Sequence, residues 1–307
     1  MTRYNLCNLT FVSDKYFKPF SIDSYTFTSK YSFNSEDDFG CKIITSTVEE
    51  HRRHKLNAFV TFKGKQKDSL IWKGGRVGLN EVKSRKRKLI EDILLISSLL
   101  VGKNVFLHSR KRYPQCQLVS SPHLNNISKN SFELQSDLTM ALNQLKDNKW
   151  RKKFHNGFHL IMMYNHANVL LRESRYLANV IIWEWLYPQI HPSGRESLKL
   201  KEIFLFLLEY FYPSRVNSKL LKSNNIFHVL RNQLAHSGMF PIDRPYAEDW
   251  MKQLSELEIQ EYLKFFGNLT HAVVLKTLGI DVGNRLDTFD FSSQLSSYLR
   301  TGRIFKS

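Results

Sequence analysis

The sequence predicts an α+β protein, with a β-rich N-terminal domain over residues 1–125 followed by an all-α C-terminal domain over residues 126–307. Three observations predict it. Residues 1–80 alternate β-branched and aromatic side chains with polar ones between turn signals, the period-two pattern of strands with one buried face. Beyond about residue 130 the apolar residues recur at spacings of three and four, the period of helices with one buried stripe. Between the two regions, Ser120 to Asn130 is polar and holds Pro122 and three asparagines, a linker composition. With 307 residues, 42% apolar and 13% aromatic, the chain is long and apolar enough to bury two cores.

In chain order, Ser24–Thr28, Lys42–Val48, Ala58–Phe62 and Leu70–Trp72, the last just before Gly74-Gly75, are the expected strands. A helix from about Ser84 to Leu100 presents a dense aliphatic face, and Val105–His108 and Gln117–Val119 have strand character. The C-terminal half then gives helices at about Phe132–Lys146, Trp150–Asn168, Arg172–Tyr187, Arg195–Tyr212, Lys219–His236 and Tyr246–Leu278, the last with an expected interruption near Gly267-Asn268. Pro188, Pro192, Pro213 and Pro241 fall between these segments, where proline removes no helical hydrogen bond. The aromatics Phe204, Phe206, Tyr210, Phe211 and Tyr212 suit a core better than a base-stacking platform. From Arg285 onward the chain is serine-rich and ends basic, expected either to wrap the domain or to stay mobile.

Composition excludes several function classes. Cys7, Cys41 and Cys116 are far apart, odd in number and without C-x-x-C spacing, which supports neither a disulfide framework nor a zinc site and suits a reducing cytoplasm. No charged-then-apolar leader opens the sequence. The longest apolar run, around Leu89 to Val101, contains Glu91, Asp92 and two serines, so no membrane span is expected. His155 and His159 are four apart, but no nearby carboxylate or cysteine completes a metal site, and no cofactor is implied.

The net charge of +17 points to a polyanionic partner. Residues 1–130 hold 23 lysines and arginines against 11 acids, whereas the rest holds 22 against 17, so the positive field belongs mainly to the N-terminal part. Its densest runs are Arg52, Arg53 and Lys55, then Arg85, Lys86, Arg87 and Lys88, then Arg110, Lys111 and Arg112, the expected nucleic-acid contacts. Such runs supply sequence-independent phosphate contacts and equally serve as solvated faces.

The most informative stretch is Arg231-Asn232-Gln233-Leu234-Ala235-His236. Ser223-Asn224-Asn225 offers N-cap candidates upstream, Ile226, Phe227, Val229, Leu230 and Leu234 form an apolar face, and Ser237-Gly238 followed by Pro241 is a stop signal. A permanent cation, a carboxamide and an imidazole therefore share the last turns of a helix. Asn232 and His236, four apart, share a face, while Arg231 lies about 140° around the axis from His236.

This arrangement resembles the HEPN superfamily, whose RNase members carry an arginine, a polar residue, three further residues and a histidine near a helix end; the resemblance covers about residues 131 to 290. It implies an α-helical bundle that forms a homodimer, so that two motifs build one composite active site of a metal-independent endoribonuclease. Glu184, the one acid in the apolar run Arg175–Leu186, resembles the acidic position of the first core helices in many members. Buried, it would need a charged partner such as Arg231; on the wet side of its helix it would not. A β-rich N-terminal region joined to such a bundle is similar to the ApeA-like branch of bacterial phage-defence proteins. That likeness implies antiviral defence by abortive infection or a toxin-like role, a sensing N-terminal half, and an inhibitory or activating partner.

The residue types suit the implied chemistry. Cutting RNA without a metal requires the ribose 2′-OH to lose its proton, the phosphorane charge to be neutralised and the 5′-oxygen to leave with a proton. His236 is the expected acid or base because an imidazole titrates near neutral pH. Arg231 is the expected electrostatic stabiliser, its planar fork matching phosphate oxygens. Asn232 is expected to orient the phosphate or the partner's imidazole, and the expected product is a 2′,3′-cyclic phosphate. The alternative is a non-catalytic nucleic-acid-binding or scaffolding module, with His236 merely a cationic cap at the helix C-terminus.

Overall fold

The computed structural model describes residues 2–7, 9, 17–29, 56–71, 87–102, 105–108, 127–154, 160–161, 172–191, 199–213, 215–223, 225–238, 242, 247–282, 285 and 289–305. It is an α+β structure, with an antiparallel five-stranded sheet near the N-terminus followed by helices. The chain divides into two compact units, Met1–Ile161 with Leu278–Ile280, and Met162–Thr277 with Asp281–Ser307. The expected boundary near residue 125 lies outside the described residues.

The first unit is built on β1 (Thr2–Cys7), β2 (Phe20–Ile22), β3 (Tyr25–Ser29), β4 (Leu56–Phe62) and β5 (Phe106–His108), in the order β2-β3-β4-β1-β5 with antiparallel neighbours. The expected strands at 24–28, 58–62 and 105–108 therefore form, each within a residue or two; those at 42–48 and 117–119 lie outside the described residues. β2 and β3 join through the two-residue turn Asp23-Ser24, with Asp23 at φ +52°, the left-handed backbone such a hairpin turn demands. Alternate residues Tyr25, Phe27, Ala58 and Val60 are buried, as one covered sheet face requires. Helix α1 (Leu89–Val101) is almost wholly buried, and α2 (Ser131–Lys146) packs on α1 and β2.

Leu70–Trp72 is not a strand where it is described. Residues 70–71 are a bend whose amides are drawn to the carboxylate of Asp92 on α1, at 2.7 Å from Leu70 N and 3.3 Å from Ile71 N. Ser69 Oγ donates to the same carboxylate at 2.6 Å. Asp92 is fully buried, and loss of hydration raises its pKa against the opposing pull of these donors and of Arg87.

The second unit contains α4 (Arg172–Ile190), α5 (Leu200–Phe211), α6 (Ser218–Ser223), α7 (Ile226–Ser237), α8 (Asp249–Lys252), α9 (Glu256–Thr277) and α10 (Phe289–Thr301), while α3 (Asn148–Lys153) belongs to the first. Its core is aromatic. Phe227 of α7, with no exposed surface, has ring centroids of Phe266 at 4.7 Å, Tyr298 at 5.1 Å and Phe204 at 6.1 Å. Trp183 of α4 stands 4.8 Å from Phe204 and donates from its indole to Thr270 Oγ1 at 2.9 Å. One side chain thus fixes α7 against α5, α9 and α10.

Three local expectations change. Pro188 lies within the last turn of α4 instead of after it, since Tyr187 and Ile190 remain buried and His191 N still donates to Tyr187 O. The C-terminal helical stretch breaks at Gln253–Ser255 instead of at Gly267-Asn268. There Ser255 and Glu258 form a reciprocal cap, Ser255 N donating to Glu258 Oε2 at 2.8 Å, which starts a new helix, whereas Gly267 sits amid the buried run of Phe265 to Val274. The serine-rich tail forms α10, whose Phe291, Leu295, Tyr298 and Leu299 are buried at helical spacing.

Candidate functional site

α7 begins where Asn225 Oδ1 accepts the His228 amide at 3.1 Å and ends at Gly238, whose left-handed φ of +70° turns the chain and whose amide donates to Leu234 O. The capping residue and the stop are those the sequence offers; the helix separates from α6 at the cap, so Lys219–His236 is two helices. Around α7, Phe227, Val229, Leu230, Gln233 and Leu234 face inward. The outward arc carries His228, Arg231 and Asn232, each partly exposed, and Ala235 and His236, both exposed. At 3.6 residues per turn, His228, Asn232 and His236 form a single stripe.

Arg231 does not point away from that stripe. Its Nη1 donates to Asn232 Oδ1 at 3.2 Å, drawing the guanidinium across part of the angular gap to His236. Asn232 Nδ2 in turn lies 3.2 Å from His228 Nε2. The guanidinium has no acceptor, so it fixes Oδ1 of the carboxamide toward itself and Nδ2 toward the imidazole. His228 Nε2 must then accept, and the ring proton sits on Nδ1, which is buried and without a hydrogen-bond partner among the described residues. Burial first, then the cations Lys201, Arg231 and Lys199, lower the His228 pKa and keep this ring neutral.

The helix is tied to its neighbour at the same turn. Tyr176 of α4, buried, donates its hydroxyl to the Phe227 carbonyl at 2.6 Å. In α-helical geometry that carbonyl is also the acceptor for the Arg231 amide four residues on, so α4 grips the peptide that sets the height of Arg231. Burial pushes the Tyr176 phenol well above its ordinary value, a shift the nearby Arg231 charge opposes, and the hydroxyl remains a donor at any ordinary pH.

The structure thus brings Arg231, Asn232 and His236 onto one accessible arc. Glu184 lies partly exposed on α4, and among the described residues no ion pair joins it to Arg231, whose guanidinium turns to Asn232 instead. His228 went unread in the sequence, although its place four residues before Asn232 was the available signal. Of the basic runs, Arg52, Arg53, Lys55, Arg85, Lys86, Arg110, Lys111 and Arg112 lie outside the described residues, as do His155 and His159. Arg87 and Lys88 are described, and both face carboxylates of their own chain. Arg87 lies 3.9 Å from Glu91 and 4.0 Å from Asp92, and Lys88 Nζ is 2.9 Å from Asp68. Burial lowers the Arg87 pKa, the two acids opposing it.

Among the described residues no group of three or more histidines, cysteines or acids could hold a metal ion, and no helix is long and apolar enough to cross a membrane. Compared with family models, curated proteins and solved structures, the chain matches none. The site is therefore defined by its own geometry, a cationic Arg-Asn-His arc on the outer face of a helical unit.

Proposed function

We propose that this protein is a metal-independent endoribonuclease that cleaves RNA by 2′-OH attack at a site completed across a homodimer of the helical unit, in antiviral defence or a toxin-antitoxin type of system. The observation that carries the reading is the placement of Arg231, Asn232 and His236 on one exposed arc, with Asn232 turning the guanidinium toward the histidine stripe. In the reaction the ribose O2′ loses its proton to one imidazole and bonds to phosphorus. The P–O5′ bond breaks and O5′ takes a proton from a second imidazole, leaving a 2′,3′-cyclic phosphate and a free 5′-hydroxyl. Arg231 neutralises the added negative charge of the phosphorane, a role worth about 10²–10³ in rate for a preorganised donor.

Two proton carriers are needed, and among the described residues the arc on α7 offers one accessible imidazole, that of His236. His228 does not serve, because its Nε2 is occupied by Asn232 and its Nδ1 is buried. A second copy supplies the missing His236. The test is incubation of the purified protein with RNA in EDTA, comparing wild type with His236→Ala and Arg231→Ala. Loss of about 10²-fold or more in each variant is expected, with 2′,3′-cyclic phosphate ends on the wild-type products. Equal scission by all three, or scission abolished by EDTA, refutes the reading; RNA retained without scission in any of them establishes a binding module instead.

A further inference from the structure

His228, which the proposed reaction leaves unused, is the residue the network is built on. Arg231 is held by Asn232, and Asn232 is held by His228, whose backbone amide is itself pinned by the Asn225 cap. A carboxamide can face a guanidinium with its oxygen and an imidazole with its nitrogen only if that imidazole nitrogen is bare. The order of donors therefore runs one way, from Arg231 to Asn232 to His228, and it requires the less common ring tautomer.

We propose that His228 is a positioning residue for the Arg231 guanidinium, acting through Asn232 as a neutral imidazole with an unprotonated Nε2. This rests on the reading of Arg231 as the phosphate ligand. His228 touches no substrate: it fixes which edge of the Asn232 carboxamide faces the arginine, and so where the guanidinium stands before RNA arrives. A protonated His228 presents N–H to Asn232 Nδ2, two donors face to face. Relief requires the carboxamide to turn over, which places its NH2 against the guanidinium and frees the arginine. Among the described residues, the charged and titratable groups about this ring are Lys199, which caps α5, Lys201 on α5 and Arg231 on its own helix, with the Tyr176 phenol of α4 next to Arg231. The three cations oppose that protonation.

The experiment pairs two isosteres. Glutamine at 228 places an acceptor oxygen where Nε2 stands, while asparagine is polar but too short to reach it. His228→Gln is expected to cleave RNA within about threefold of wild type, and His228→Asn to lose about tenfold or more, as for a misplaced catalytic group. His228→Asn cleaving like wild type, or His228→Gln falling as far as His228→Asn, overturns the proposal. In parallel, nitrogen-15 NMR of the histidine-labelled full chain at neutral pH reads the ring directly. A protonated Nδ1 with a bare Nε2 is expected at His228, and a protonated Nε2 overturns the proposal whatever the cleavage data say. Should wild type leave RNA intact while the spectrum shows the expected tautomer, the nuclease reading alone fails, and the order of donors from Arg231 to His228 stands.

Discussion

Replacing Tyr176 by phenylalanine removes one oxygen and nothing else from the contact between α4 and α7. The ring keeps its place 5.0 Å from Phe266, and the residue is 1% exposed, so no water reaches the vacated position without rearrangement. The lost bond is the 2.6 Å donation to Phe227 O. Because that carbonyl retains its helical donor from Arg231, it is not left unsatisfied, and the cost is the net worth of one buried hydrogen bond, about 1 kcal/mol. The oxygen vacates too little volume for a large cavity cost, unlike a truncation to leucine or alanine. Thermal unfolding followed by circular dichroism is expected to fall by about 2–4 °C. Cleavage is expected to change less than tenfold, since the position of Arg231 is still set by Asn232. A loss above about 3 kcal/mol would mean that the phenol supports more than this one peptide. An unchanged melting temperature would show that the bond contributes nothing and that α7 is held by its buried apolar face, Phe227 foremost.

Asp92→Ala leaves the amides of Leu70 and Ile71 without their shared acceptor and removes one of the two carboxylates facing the half-buried Arg87, and is expected to cost about 3–5 kcal/mol in denaturant unfolding, with Asp92→Asn markedly milder; a loss below about 1 kcal/mol for alanine refutes the account of that bend. His228 gives a pH signature. Its folded pKa is lowered, so as pH falls through the ordinary imidazole value of about 6.5 the unfolded chain takes up the proton first. Stability is then lost until the folded pKa is passed. His228→Gln is expected to show a shallower fall over that window than wild type, and equal slopes in the two proteins would refute the assignment.

How much was legible in the sequence depended on whether a signal was local. The Asn225 cap, the Gly238 stop and the alternation of Tyr25, Phe27, Ala58 and Val60 are properties of neighbouring residues and survive in the structure. The strand expected at Leu70–Trp72 does not form at its two described residues, because the amides of Leu70 and Ile71 answer to a carboxylate 22 and 21 residues on, and nothing in an apolar triplet announces Asp92. The break at Ser255 was legible as a serine followed three residues later by Glu258, a stronger signal than a lone glycine, since Gly267 is carried through by the packing of Phe265 and Phe266. α10 shows the reverse error, serine content having masked the helical spacing of Phe291, Leu295, Tyr298 and Leu299. In the site, side-chain type pointed to Arg231, Asn232 and His236, but the direction of the Asn232 carboxamide emerges only once His228 and Arg231 are both placed against it.

The need for a second copy follows from counting protons, and that count can be tested without seeing the dimer. With one accessible imidazole on the described arc of each chain, the proposed catalytic unit requires two intact His236 residues from two chains. When wild type is mixed with an equal amount of His236→Ala and allowed to re-pair at random, about a quarter of the dimers keep both histidines, half keep one and the rest none. Activity per total chain is then expected to fall to about a quarter of the unmixed value, well below the half that simple dilution gives. Specific activity of wild type alone should also rise with protein concentration until pairing saturates. A fall to one half on mixing, with specific activity independent of concentration, would mean that a single chain carries out both proton transfers. The second proton carrier would then have to come from the same copy, which the buried Nδ1 and occupied Nε2 of His228 cannot supply.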